Sequence, residues 1–188
     1  ALADETDKAP LPLHFLLGME VEELYFPDEG HGFARPANNQ AFMAITEAFL
    51  DHCFLRVPYA DLAGNSPSRL AAIVNGQIGF MQQRAAGELR IRVFNPSIDS
   101  DGWESDHTVV ELVNDDRPFL VDSASLALTE MGVGIHLVVH PVVRVERDGK
   151  GRLRDVLDKN KAAGTRESVI QLQIDRTTDP GAIGRIEH

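Results

Sequence analysis

The chain has 188 residues, 43% of them apolar, and a formal net charge of −11, with an isoelectric point near 5.0. That is material for one ordinary domain or two small ones, and its acidic surface repels nucleic-acid phosphates and anionic lipid, so neither is an expected partner. The single cysteine, Cys53, has no second thiol to pair with and fits a reducing cytoplasm. The longest apolar runs, such as LVVHPVV, are too short to span a bilayer. No signal-peptide pattern opens the chain, which begins without methionine and stops within a helix-like segment. It is expected to be a piece of a longer protein.

Residues 1–19 read as an irregular lead-in punctuated by Pro10 and Pro12. VEELYF is a short strand candidate, and PDEGHGFARPANN a loop rich in turn formers. QAFMAITEAFLDHCFL has Phe42, Ile45 and Phe49 at helical spacing, with Asn38 or Asn39 as cap. A second helix is predicted from Ser66 to Arg84. Ser66 caps it, Pro67 takes its first position, and Leu70, Ile73, Val74, Ile78 and Met81 form the stripe to be buried. From Glu88 the period changes to two. LRIRVF reads as a half-buried strand, followed by the polar loop NPSIDSDGWESD, whose Trp103 is expected to fold back onto apolar surface.

HTVVELVN is the next strand, leading through DDRP into a helix that runs to Met131 and ends at Gly132. Asp116 is placed to cap this helix, with Pro118 in its first turn and Leu120, Ala124, Ala127, Leu128 and Met131 facing inward. VGIHLVVHPVVRVER reads as one long strand and DGKG as a hairpin turn, with RLRDVL returning antiparallel. DKNKAAGTRE is a polar loop, SVIQLQID a strand, and DPGAIGRIEH starts a helix capped by Asp179.

This order predicts an α+β fold: a ferredoxin-like antiparallel sheet with helices on one face, over 87–188 and lacking its last strand, preceded by a helical N-terminal part over 1–86. A missing strand leaves an open sheet edge. Open edges invite partners, unless LRIRVF covers this one.

The segments DGWESDHTVVELVNDDRPFLVDSASLAL, GIHLVVHPVVRVERDGKGRL and ESVIQLQIDR carry a resemblance to the N-terminal region of the large bacterial NAD-dependent glutamate dehydrogenases, covering roughly Leu55 to Glu187. The resemblance implies a non-catalytic, ACT-like regulatory or assembly domain. NAD and the oxidative deamination of glutamate to 2-oxoglutarate would belong to the parent enzyme, and other domains of the parent chain and further copies of it would be the partners. ACT domains that bind amino acids usually have a glycine after the proline of the first strand-to-helix turn; here that position is Phe119, whose ring could fill the pocket or plug a neighbouring subunit's groove. An amino-acid sensor would use Asp116, Arg117, Phe119 and the strand edge at His136.

VEELYFPDEGHGFARPANNQAFMAITEAFL, within Val21 to His52, is similar instead to the C-terminal end of prolyl-oligopeptidase-type hydrolases. By that resemblance His31 would be the general base of a triad. A base needs a nucleophile, and the chain has no G-x-S-x-G elbow. The alternative is a loop histidine of no catalytic role. The two resemblances meet near Cys53.

No metal site is expected. His136 and His140 on one strand would stand roughly 13 Å apart, too far for one zinc. The acidic run Asp99, Asp101, Glu104, Asp106 lacks the register of a calcium loop.

Overall fold

The computed structural model describes residue 49 and residues 65–157 and 163–187. The expected strand VEELYF, His31, Cys53 and most of the first predicted helix lie outside them, as does much of the loop after RLRDVL. Phe49, from that first helix, is helical and fully buried.

The described chain begins with α1 (Pro67–Met81), where the Ser66 side chain accepts the Arg69 amide and Pro67 occupies the first turn. The helix stops at Met81 and not at Arg84. Gln83 instead bridges to Arg152, with Leu153 N donating to Gln82 O and Arg84 N to Gly151 O. Strand pairing takes these backbone groups before the helix can use them. Next come β1 (Arg90–Phe94) and a short helix, α2 (Ile98–Asp101), inside the expected polar loop; Ser97 caps it and Gly102 ends it. Trp103 does fold back: it is buried against Ile73 and Val109, with Phe94 edge-on.

β2 (Thr108–Asp115) is followed by α3 (Leu120–Glu130), which ends as expected. Gly132 takes a left-handed conformation, its amide bonds Thr129 O, and the Val133 amide bonds Leu128 O. This paired closure is a Schellman motif. The single long strand predicted next is two, β3 (Ile135–Val139) and β4 (Val142–Arg147). Proline explains the break: Pro141 has no N–H for the ladder, and its carbonyl accepts Val169 N. Asp148–Gly151 turns the chain into β5 (Leu153–Leu157). β6 (Thr165–Ile174) and α4 (Pro180–Glu187) follow, and both Asp179 carboxylate oxygens accept first-turn amides of α4.

The sheet runs β1-β2-β6-β4-β5, with β3 also on β6, and every pairing is antiparallel. β3 and β4 share one side of β6, on its C-terminal and N-terminal halves respectively. Strands β2, β4 and β6 with helices α3 and α4 have the order of a ferredoxin-like sandwich. β1, from earlier in the chain, occupies the outer position beside β2 that the sandwich's last strand takes. The side chain of Glu187 accepts the Val93 amide on β1.

Two cores result. Val93, Val110, Ile170, Leu172 and Ile174 face α3 and α4, with Leu128 the buried residue of α3. On the other face Val113, Val143, Val145, Val156 and Val169 pack against Leu70, Val74, Ile78 and Met81 of α1 and against Phe49. Helices α3 and α4 thus share one face as expected, and α1 closes the opposite one. Each such side chain contributes about 1.5–3 kcal/mol when fully buried.

Candidate functional site

The turn from β2 into α3 is where the resemblance places a ligand. The structure corrects its local reading. α3 begins at Leu120; Phe119 holds the cap position and no side chain caps the helix. Asp116 is drawn elsewhere. One carboxylate oxygen pairs with Arg166 at 2.8 Å and the other accepts the Ser168 hydroxyl at 3.0 Å, while His140 Nε2 lies 3.1 Å from the same hydroxyl. A guanidinium and a hydroxyl on β6 take the carboxylate in place of the amides of α3, the guanidinium bringing a full positive charge that those amides lack. Arg117 is exposed and lies 3.7 Å from Asp115.

Phe119 neither fills a pocket nor seals the turn. It is 73% exposed, and with φ at 66° it is the one non-glycine residue with positive φ among the described residues. A side chain in this left-handed region costs roughly 1–2 kcal/mol. The inward stripe of α3 is also redrawn. Leu120, Val121, Ala124 and Leu128 face the sheet, whereas Ala127, Leu126 and Met131 are exposed.

His136 does not join Asp116. Its Nε2 pairs with Asp175 at 2.7 Å, and its ring stacks on His107 with centroids 4.3 Å apart. Asp116 is bonded to Ser168, and Asp175 lies seven residues further along the chain, roughly 23 Å at about 3.3 Å per strand residue. The four residues named for a ligand therefore fall in two places, Asp116, Arg117 and Phe119 at one end of β6 and His136 at the other. His140 and His136 likewise have separate partners. Among the described residues no three His, Cys, Asp or Glu side chains converge as a metal site, and no helix is long and apolar enough to cross a membrane.

A cluster that the sequence pattern does not announce lies beneath the end of α1. Glu167 is fully buried, yet it accepts both Nε and Nη2 of Arg147, at 2.7 and 2.8 Å, and Nη1 of buried Arg84 at 2.7 Å. Arg84 also pairs with Asp115, and the hydrogen bond from its guanidinium holds that carboxyl below its usual range. Arg147 Nη1 donates to the carbonyls of Met81 and Gly151. One carboxylate on β6 thus ties together the end of α1, the β4–β5 turn and β2. Beside it, burial pushes Glu111 above the usual carboxylate range, although Arg92 bonds it at 2.6 Å and Gln171 at 3.0 Å. Arg92 in turn lies over the rings of Phe80 and Phe94. A fork of guanidinium donors matched to a carboxylate is structural chemistry; all its oxygens are used within the chain.

Fold and turn together define the class, an ACT-like α+β domain. The family model for the glutamate dehydrogenase ACT1 domain matches residues 49–188. The chain belongs to that family. It is 32% identical over 146 residues to an NAD-specific glutamate dehydrogenase of Halomonas elongata, a match covering 77% of this chain and 9% of that protein. It is 38% identical over 99 residues to the NAD-specific glutamate dehydrogenase of Pseudomonas aeruginosa, covering 52% of this chain and 6% of that one. The chain thus spans less than a tenth of the length of these curated relatives. A further match, 67% identical over 33 residues, is to dipeptidyl aminopeptidase BIII of Pseudoxanthomonas mexicana, covering 18% of this chain and 5% of that protein. No solved structure matches.

The described strands do not form a doubly wound dinucleotide site. A dinucleotide site of the doubly wound kind opens where parallel strands diverge, and every strand pair here is antiparallel.

Proposed function

We propose that this chain is a non-catalytic assembly or regulatory domain of a large NAD-dependent glutamate dehydrogenase, whose NAD and glutamate are handled by other parts of the parent protein. The observation that carries this reading is the β2–α3 turn. Asp116 is paired with Arg166 and accepts the Ser168 hydroxyl, and an apolar ring points outward at the cap of α3. A sensor turn offers free donors and a backbone that a ligand can approach closely. This turn has its Asp116 carboxylate engaged by β6 and presents an apolar ring outward, which is the chemistry of a packing face. Other domains of the parent chain, or a second copy of it, are the partners in this reading.

A second reading, amino-acid sensing, has one observation in its favour. Asp116 and Arg166 pair at an accessible place, Arg166 being more than half exposed, and together they offer both charges that a zwitterion needs. Thermal unfolding of the chain with each of the twenty amino acids separates the two. A ligand that binds the folded state stabilises it by about 2.7 kcal/mol at a hundredfold excess over its dissociation constant. The packing role predicts no shift with any of them, and a concentration-dependent rise supports the sensor. For the parent role, the isolated chain forms no NADH from glutamate and NAD. Esterase activity that disappears in His31→Ala would instead support the hydrolase alternative.

A further inference from the structure

At the far end of the sheet from Phe119, three strands bring two imidazoles and a carboxylate together. His107 directly precedes β2, His136 is the second residue of β3, and Asp175 directly follows β6, which lies between the other two strands. The arrangement depends on a local irregularity. From the pair Ile135–Ile174 to the pair Leu137–Gln173, β3 advances two residues while β6 advances one. His136 is the extra residue of this β-bulge, and bulges commonly re-aim a side chain. Here the bulge brings His136 to 2.7 Å from Asp175 and stacks it nearly parallel, at 19°, on His107. The other oxygen of Asp175 accepts the Gly134 amide at 2.8 Å, and the Asp175 amide returns a bond to Gly134 O. Gly134 is the last residue of the link from α3 into β3. One carboxylate therefore holds both a histidine and the exit from α3.

The charged surroundings are few. Arg176, next to Asp175, donates to Ser105 O at 2.6 Å, two residues before His107. Asp106, next to His107, is exposed, as is Glu130 in the last turn of α3. The neighbours of His136 on β3, Ile135 and Leu137, carry no charge.

We propose that His107, His136 and Asp175 form a clasp that stays closed with at most one proton shared over its two rings and opens when both rings are charged. With both rings neutral, the stack holds and His136 donates to Asp175. A first proton, taken from solvent, gives an imidazolium that Asp175 balances. A second places two positive charges within the stack against a single negative one, so the rings part, and the movement of His136 at its bulge loosens the start of β3 beside Gly134. Two stacked imidazoles beside a single carboxylate make a proton-sensitive contact, and its opening loosens the C-terminal exit of α3.

The test is amide hydrogen exchange of the whole chain between pH 7 and pH 5, corrected for the intrinsic pH dependence of exchange. Protection at Gly134–Leu137 is expected to fall roughly tenfold as local opening becomes easier, while Leu153–Leu157 on β5 stays unchanged. In His107→Gln, and independently in His136→Gln, the fall disappears. In Asp175→Asn it moves to higher pH, because the balancing charge is gone. Flat protection at Gly134–Leu137 in the unmodified chain overturns the proposal, as does the same fall persisting in either histidine variant.

Discussion

Two neighbouring regions at the N-terminal end of β6 are built on opposite terms. At Glu167, burial is complete and every oxygen of the carboxylate is matched by a guanidinium from Arg84 or Arg147. At the α3 cap, a few residues from Glu167's partner Asp115, a phenyl ring stands 73% exposed on a left-handed backbone. The first region carries a large desolvation cost and offsets it within the chain. The second carries two costs, strain and exposed apolar surface, and offsets neither. Strain persisting at one residue points to a role outside the fold's own stability. The contrast separates the face that keeps this domain folded from the face that it presents.

The sharpest way to break the first half of that comparison is to remove its carboxylate. Glu167→Ala leaves two guanidinium groups facing each other in the interior and is expected to cost about 3–5 kcal/mol, read as a lowered denaturant midpoint. Next comes Gly151→Ala, at φ 80° in the β4–β5 turn, where a new Cβ would collide with the carbonyl of Arg84. It is expected to cost more than the 1–2 kcal/mol of left-handed strain alone, and unfolding at equilibrium measures it. A cost near zero in either variant would mean that the cluster beneath α1 is ornamental.

Acid–base behaviour sharpens the same half. Glu111 is held above the usual carboxylate range by burial. Its folded form therefore binds a proton more readily than the unfolded chain, and its contribution to stability is full below about pH 4.3 and is lost as pH rises through the folded value. Glu111→Gln should remove that decline, so the difference in stability between variant and parent shifts in favour of the variant from pH 4 to pH 7. The opposite sign applies to Asp115, held low by Arg84; its contribution is present above the ordinary aspartate value and lost as pH falls through the lower, folded one. Smallest of all is Asp116→Ala. Since Asp116 caps no helix, the change removes only its bonds to half-exposed Arg166 and to Ser168, and about 1 kcal/mol or less is expected. Helicity by circular dichroism should be unchanged; a loss of helix would restore the capping role.

What the sequence made legible were features closed within a few residues. Ser66 with Pro67, the Gly132 terminator, the Asp148–Gly151 turn and the Asp179 cap all depend on neighbours in the chain, and each stands where its pattern put it. The start of α3 was misread because the competitor for Asp116 lies some fifty residues away: nothing near DDRP announces Arg166. The split of the long strand was foreseeable from Pro141, whose missing donor outweighs a run of β-branched residues. The place of β1 beside β2 is a matter of topology, which period-two alternation does not encode. The same is true of the candidate site. His136 was visible as a residue, but His107 and Asp175 reach it only through strand order and a bulge.

Phe119→Gly tests the central claim most directly, because the claim gives it opposite effects in two settings. Glycine relieves the left-handed strain and removes an exposed ring. The isolated chain is therefore expected to gain roughly 0.5–1 kcal/mol in denaturant unfolding, strain relief less the entropy of glycine. In the parent enzyme the same change is expected to weaken assembly, seen as dissociation at higher protein concentration. A chain that loses stability on this substitution, or a parent enzyme whose assembly is indifferent to it, would contradict the reading of this turn as a surface built for packing.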